Sequence, residues 1–318
     1  MKKYGVLVVA IILLIGVAAL WLEPTGVLMG YLKGEPFFDG RPAGYWERSL
    51  RADPATQVTA IEKMEQGGTE AAGVLESLLS SKNGASAEVR CTAAEILGKI
   101  GPDAEQAGST LLAALNDPDL HVRAIAAASL AKVGVPPDEA VPALTRMLET
   151  DQKVVAGRAL SEYRGAAKPA LPMLVAVLTD KSLDSETRWN AARTLGKLGP
   201  EGVDAIPVLV ESLEDEAATV REHSAEALGD IGPPAAGAVP DLVGVLDDPA
   251  TRVRRDAVRS LGQIGEASRA AIAEMKKLLK DPEEIVREAA KTAIRAIAPE
   301  ELPKPKSSDK RIDDKAKP

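Results

Sequence analysis

The sequence predicts an all-α fold, a right-handed α-solenoid of about seven helix-turn-helix repeats behind a degenerate N-terminal capping repeat. Three observations carry that prediction. One motif returns at a spacing of 33 residues. Each copy is joined to a second apolar stripe that opens on proline. The composition suits thin, closely packed helices: 52 of the 318 residues are alanine and 45% are hydrophobic, but only 3% are aromatic.

The same composition narrows the function classes. A single Cys excludes an intramolecular disulfide framework and a multi-Cys zinc site, and two His exclude a His-rich metal centre. The net charge of −8 opposes a nucleic-acid reader, which needs a basic face. No Walker loop, GxSxG or dinucleotide fingerprint occurs. The sequence therefore predicts no catalytic residue, no metal, no small-molecule cofactor and no nucleic-acid partner.

In chain order, Lys2 and Lys3 precede an uncharged run from Tyr4 to Leu22. At ~1.5 Å rise per residue this run would span about 28 Å, close to the hydrocarbon core of a bilayer. Residues 1–22 are therefore read as an uncleaved signal anchor, with the N-terminus inside and the remaining chain exported. The small residues Gly16 to Ala19 leave a cleaved signal and a secreted product as the alternative. Residues 23–41, broken by Gly26, Gly30, Gly34, Pro36 and Gly40, read as a linker, and 42–68 as the degenerate capping repeat. The aromatics Tyr31, Phe37, Phe38, Tyr45 and Trp46 gather here, where they suit covering the open apolar end of an array.

Residues 69–298 form the array. EVRCTAAEILGKIG, HVRAIAAASLAKVG, TRWNAARTLGKLG, VREHSAEALGDIG, VRRDAVRSLGQIG and VREAAKTAIRAIA are copies, with a worn copy, KVVAGRALSEYRG, between the second and third. These are the second helices, ended by Gly that can take a left-handed cap. The first helices are VPALTRML, LPMLVAVL, IPVLVESL and VPDLVGVL, with Pro142, Pro172, Pro207 and Pro240 placed in the first turn, where a missing N–H costs nothing. Turns such as Asp117-Pro118, Asp248-Pro249 and Asp281-Pro282 lead into the second helices. No period-two strand pattern appears. The tail, 299–318, carries Pro, Ser and mixed charge and is expected to be disordered.

VRxxAAxxLGxIG and the (V/I/L)PxL helix resemble the HEAT-like repeat family in its short form, similar to the repeats of bacterial bilin-lyase-type proteins. FFDGRPAGYWERSL resembles a preface found before such arrays in exported bacterial proteins. The resemblance implies protein–protein scaffolding, with second helices on the concave side; a minority of the family are enzymes or nucleic-acid binders. A hydroxylase of this fold would need several His-Glu pairs, whereas His121 is followed by Val and His223 by Ser.

Recurring residues are read as structural. Arg90, Arg123, Arg188, Arg221, Arg254 and Arg287 share one position, expected to bond a turn carboxylate or carbonyl of a neighbouring repeat. Leu97, Leu130, Leu195, Leu228 and Leu261 are core, and Gly98, Gly196, Gly229 and Gly262 allow close helix approach. A partner must then be read by positions that vary. On the second helices these give Trp189, Arg193, Arg255 and Arg259, a basic, partly aromatic stretch in an acidic array, with His223 beside it and Glu222 and Glu226 interrupting it. The functional expectation is a membrane-tethered, extracytoplasmic scaffold, not an enzyme, that binds a protein or peptide through these residues. The alternatives are a lyase-like HEAT protein and a structural envelope protein.

Overall fold

Leu97, Leu130, Leu195, Leu228 and Leu261 are all fully buried, which places one face of each helix that carries them in an apolar core. The computed structural model describes residues 26–80 and 84–302, and over these the chain is an all-α solenoid. Contacts divide it into two halves, Met1–Ala159 and Leu160–Pro318.

The N-terminal half departs from the sequence reading first. The stretch expected to be a linker holds helix α1 (Val27–Lys33) and a two-residue antiparallel hairpin, β1 (Phe37–Phe38) with β2 (Arg41–Pro42). Asp39 and Gly40 between them both have positive φ, as a two-residue hairpin turn requires. Helices α2 (Ala43–Leu50) and α3 (Pro54–Gly67) follow. Trp46 Nε1 donates to the Phe38 carbonyl at 3.1 Å, and both rings are buried. Phe38 lies so close over Gly67 that a Cβ there would come within 2.4 Å of the ring. Tyr31 behaves differently: it stacks on Phe37 but stays 70% exposed. Two helix pairs come next, α4 (Thr69–Leu79) with α5 (Ala87–Ile100) and α6 (Gly108–Ala114) with α7 (Leu120–Val133), followed in the chain by α8 (Pro137–Met147) and α9 (Lys153–Glu162). The boundary between the halves falls inside α9.

In the C-terminal half, α10 (Leu171–Thr179) pairs with α11 (Ser185–Lys197) and α12 (Ile206–Glu211) with α13 (Ala218–Ile231). Then α14 (Val239–Gly244) pairs with α15 (Thr251–Ile264) and α16 (Ile272–Lys277) with α17 (Glu284–Ile297). Pro172, Pro207 and Pro240 occupy first turns as expected. Pro142 does not: it sits inside α8, because Pro136-Pro137 start that helix earlier and Pro142 then forgoes one helical hydrogen bond. The tail begins ordered as well, with a 3₁₀ turn at Pro299–Glu301, where Arg269 reaches Glu300 and Lys276 reaches Glu301. Residues 303–318 lie outside the described residues.

Second helices pack on one another with unusually little space between them. A Cβ at Gly196 would lie 2.6 Å from the Cα of Ala227, and one at Gly262 2.9 Å from the Cα of Ala293. At the α5–α7 and α13–α15 interfaces Ser129 and Ser260 donate to the carbonyls of Ala94 (2.9 Å) and Ala225 (2.7 Å). Because the obstacle at Gly196 is backbone, Gly196→Ala must push α11 and α13 apart. Its expected cost is about 1–3 kcal/mol, read as a lower thermal midpoint, even though Ala is the better helix former.

The repeated arginines form a ladder. Arg90 grips Asp117 in a bidentate pair, both bonds at 2.7 Å. Arg221 does the same to Asp248 (2.7 and 3.0 Å) and Arg254 to Asp281 (2.8 and 3.0 Å), while Arg188 reaches Asp215 at 3.0 Å. Each acceptor belongs to the turn of the next repeat. The same carboxylates accept the backbone N–H two residues on, at Asp119, Ala217, Ala250 and Glu283, and so shape the turn. Arg123 instead meets the neutral Gln152 at 3.0 Å, and Arg287 donates to the carbonyls of Asp281 and Pro282.

Burial alone would raise the carboxyls of Asp215 and Asp248, but Lys181 and Arg188 around the first, and Arg221 and the Ala250 N–H around the second, hold both below the ordinary aspartate value. Arg254 holds Asp281 low against a smaller burial effect. A depressed carboxyl gives stability that is complete above its unfolded value and lost as pH falls through the folded one. The thermal midpoint of the C-terminal half is thus expected to drop as pH falls below the ordinary aspartate range. A midpoint that is level down to the most acid conditions would contradict these assignments.

The expectation of a single-pass, N-in membrane protein is corrected. Among the described residues no helix is long and apolar enough to cross a membrane. The Tyr4–Leu22 run on which that reading was built lies outside the described residues.

Candidate partner-binding surface

Helices α11, α13, α15 and α17 lie side by side in the C-terminal half, and the variable positions of each fall near one face. On α11 the Trp189 ring stacks on His223 of α13, with centroids 4.5 Å apart and planes at 26°. His223 Nδ1 is 2.9 Å from Glu226 Oε2, one turn further along α13. That contact holds the Glu226 carboxyl below its ordinary value against the effect of burial, with Lys197 and Arg259 adding to it. Lys197 also pairs with Asp230 at 2.5 Å, tying α11 to α13 a second time. Trp189 and His223 each remain partly exposed, so the stack offers an aromatic edge rather than a closed core.

The arginines divide into two kinds. Arg255 is committed: it holds Asp256 at 2.6 and 2.8 Å and Glu222 at 3.5 Å. Asp256 and Glu222 are both buried. Burial pushes the Glu222 carboxyl up, against His223, Arg252 and Arg255, which lower it. Arg255 therefore neutralises buried carboxylates. Arg193 is half-buried and Arg259 exposed, and neither has a hydrogen-bond or ion-pair partner among the described residues. Arg252, 71% exposed and 3.8 Å from Glu222, is a basic group that sequence reasoning passed over. The missed signal was Asp256, an acid at a position where α11 carries Asn190 and α13 carries His223.

The sequence-predicted residues thus fall into a Trp189–His223 cluster with Arg193 beside it, and an Arg255–Arg259 pair on α15. Elsewhere, burial and then Asp119 push the Cys91 thiol up, which disfavours the thiolate a nucleophile requires.

Comparison with known proteins agrees with the fold. A chain in the structure of Kap95p with RanGDP superposes with a TM-score of 0.55 at 14% identity, covering 80% of this chain and 40% of that one. A chain in a homology model of the full-length AP-3 complex gives 0.56 at 16% identity, covering 80% and 50%. The complex of CpcE and CpcF of phycocyanin lyase from a Nostoc species matches at 22% identity over 48% of this chain and 97% of that one, with a TM-score of 0.40. No curated protein matches the sequence. The family profile described as HEAT repeats matches residues 74–164, 153–229 and 206–295. With most of the chain matched and the repeat geometry in register, the chain belongs to the HEAT repeat family.

Proposed function

We propose that this protein is a non-enzymatic scaffold that binds a partner protein or peptide on the second-helix face of its C-terminal half. The observation that carries this reading is Arg193, a half-buried guanidinium without a hydrogen-bond or ion-pair partner among the described residues, one helical turn from the partly exposed Trp189. Trp and Arg are the residue types that most often dominate interface energy, and a guanidinium one turn from an aromatic ring suits an incoming carboxylate or phosphate. Kap95p, which shares the fold, binds the protein RanGDP. The residues assigned to contact are Trp189, Arg193, His223 and Arg259, with Arg255 in a supporting role.

The test is affinity capture from cell extract with the parent protein and with a Trp189→Ala, Arg193→Ala variant, each checked for thermal stability. The variant is expected to lose its partner, at a cost of about 2 kcal/mol or more in binding. Its melting should stay close to the parent's. Raising the salt should weaken the parent's binding, since the arginines act on an opposite charge. Normal capture by a variant that melts early would make Trp189 a packing residue and overturn the reading.

A further inference from the structure

Between each pair of adjacent second helices runs a furrow, and in the C-terminal half these furrows are filled differently. Between α11 and α13 the Trp189–His223 stack fills it. Between α13 and α15 the Glu222–Arg255–Asp256 ion pairs do so. Between α15 and α17 the corresponding side chains on α17 are small or turned aside. Thr292 and Ala296 stand where α13 carries Glu226 and Asp230, and Glu288 is drawn to Lys291 of its own helix at 2.5 Å. The result is an open groove of about 640 Å³. Its floor is apolar, made by Gly262, Ala289 and Ala293, and Ile285, 50% exposed, forms one end. Arg255 and Arg259 line the α15 side.

We propose that this groove docks an acidic protein segment, with one apolar side chain seated between α15 and α17 and a neighbouring carboxylate paired to Arg259. The proposal rests on the reading above that this face binds a protein, and it names the partner's chemistry. The apolar requirement follows from Gly262, Ala289 and Ala293, which have no side-chain polar atom to meet a buried donor or acceptor, with Gln263 and Thr292 the neutral polar side chains of the lining. The acidic requirement follows from the rim. Arg259 is exposed without a hydrogen-bond or ion-pair partner among the described residues, and Glu288 across the groove is already neutralised by Lys291. Arg255 also lines the groove, but its charge is already met by Asp256 and Glu222. A basic segment would meet Arg259 with like charge, which costs affinity.

The experiment selects short random peptides on the purified full-length protein, then measures the best binders by fluorescence anisotropy. The expected winners combine a Leu, Ile or Met with Asp or Glu within one turn or two residues. Thr292→Trp, which fills the groove from an exposed position, should weaken them roughly tenfold or more, and Arg259→Glu by a similar factor. Both variants should melt like the parent. Winners without an acid-plus-apolar pattern, or binding unchanged in Thr292→Trp, would overturn the proposal, as would the absence of any winner. Peptides weakened by Trp189→Ala, Arg193→Ala but not by Thr292→Trp would overturn the groove and leave the broader reading standing. Insensitivity to all these variants would remove both. Sedimentation of the protein alone is the final arm: a dimer that Thr292→Trp dissociates would mean a second copy occupies the groove, and the acidic-segment proposal would fall.

Discussion

Replacing Leu228 with Asp is expected to unfold the C-terminal half at temperatures where the parent stays folded. Leu228 is fully buried in α13. Removing its side chain costs about 2–5 kcal/mol through lost contacts and the cavity left behind. Putting a carboxylate there adds several kcal/mol more, because a buried charge without a partner must be desolvated or protonated. The sum approaches the whole stability of an ordinary domain, about 5–15 kcal/mol. Since α13 packs on both α11 and α15, the damage should spread through those interfaces. Circular dichroism on heating reads it directly: the melting transition should move down by many degrees or vanish. An unchanged midpoint would mean that the helix register described here is wrong.

Arg221→Leu should be nearly as harmful, for a different reason. The guanidinium is only 15% exposed and Asp248 only 7%. Truncating one member of a buried pair leaves the other charged and unpaired, which costs about 3–5 kcal/mol. Asp248 cannot easily be spared, because it also accepts the Ala250 N–H and fixes the turn into α15. Asn keeps that acceptor without the charge. Arg221→Leu combined with Asp248→Asn should therefore recover a large part of the loss, and denaturant midpoints of the two single variants and the double variant close a thermodynamic cycle. Strict additivity would show that the two side chains are not coupled.

Most of the array was legible in the sequence because its physics repeats. A position that must be thin, apolar or arginine in one interface must be so in the next, so Gly196, Leu195 and Arg188 return as Gly229, Leu228 and Arg221. The N-terminal region obeys no such rule. Its hairpin and α1 are held by single contacts, such as the Trp46 indole on the Phe38 carbonyl and Lys63 on Asp39 at 2.9 Å, and single contacts leave no periodic trace. Pro142 misled because proline marks a first turn only where no earlier start exists. On the candidate face, the sequence placed His223 only beside the variable row; Trp189 and His223 are one repeat plus one residue apart, and their stacking emerges only when α11 and α13 pack. Arg255 differs from Arg259 in having Asp256 next to it, and that acid commits it because it is buried beside it in the fold.

The ladder has one more property. Arg188 to Asp215, Arg221 to Asp248 and Arg254 to Asp281 each span 27 residues, and each arginine reaches forward into the following repeat. Each of these three joints is thus the same plug entering the same socket. A cassette of one full period can be copied or excised between two such joints without either neighbour having to invent a new interface. Length is then something that gene duplication can adjust in whole steps, while the faces presented by each copy drift apart and acquire separate preferences.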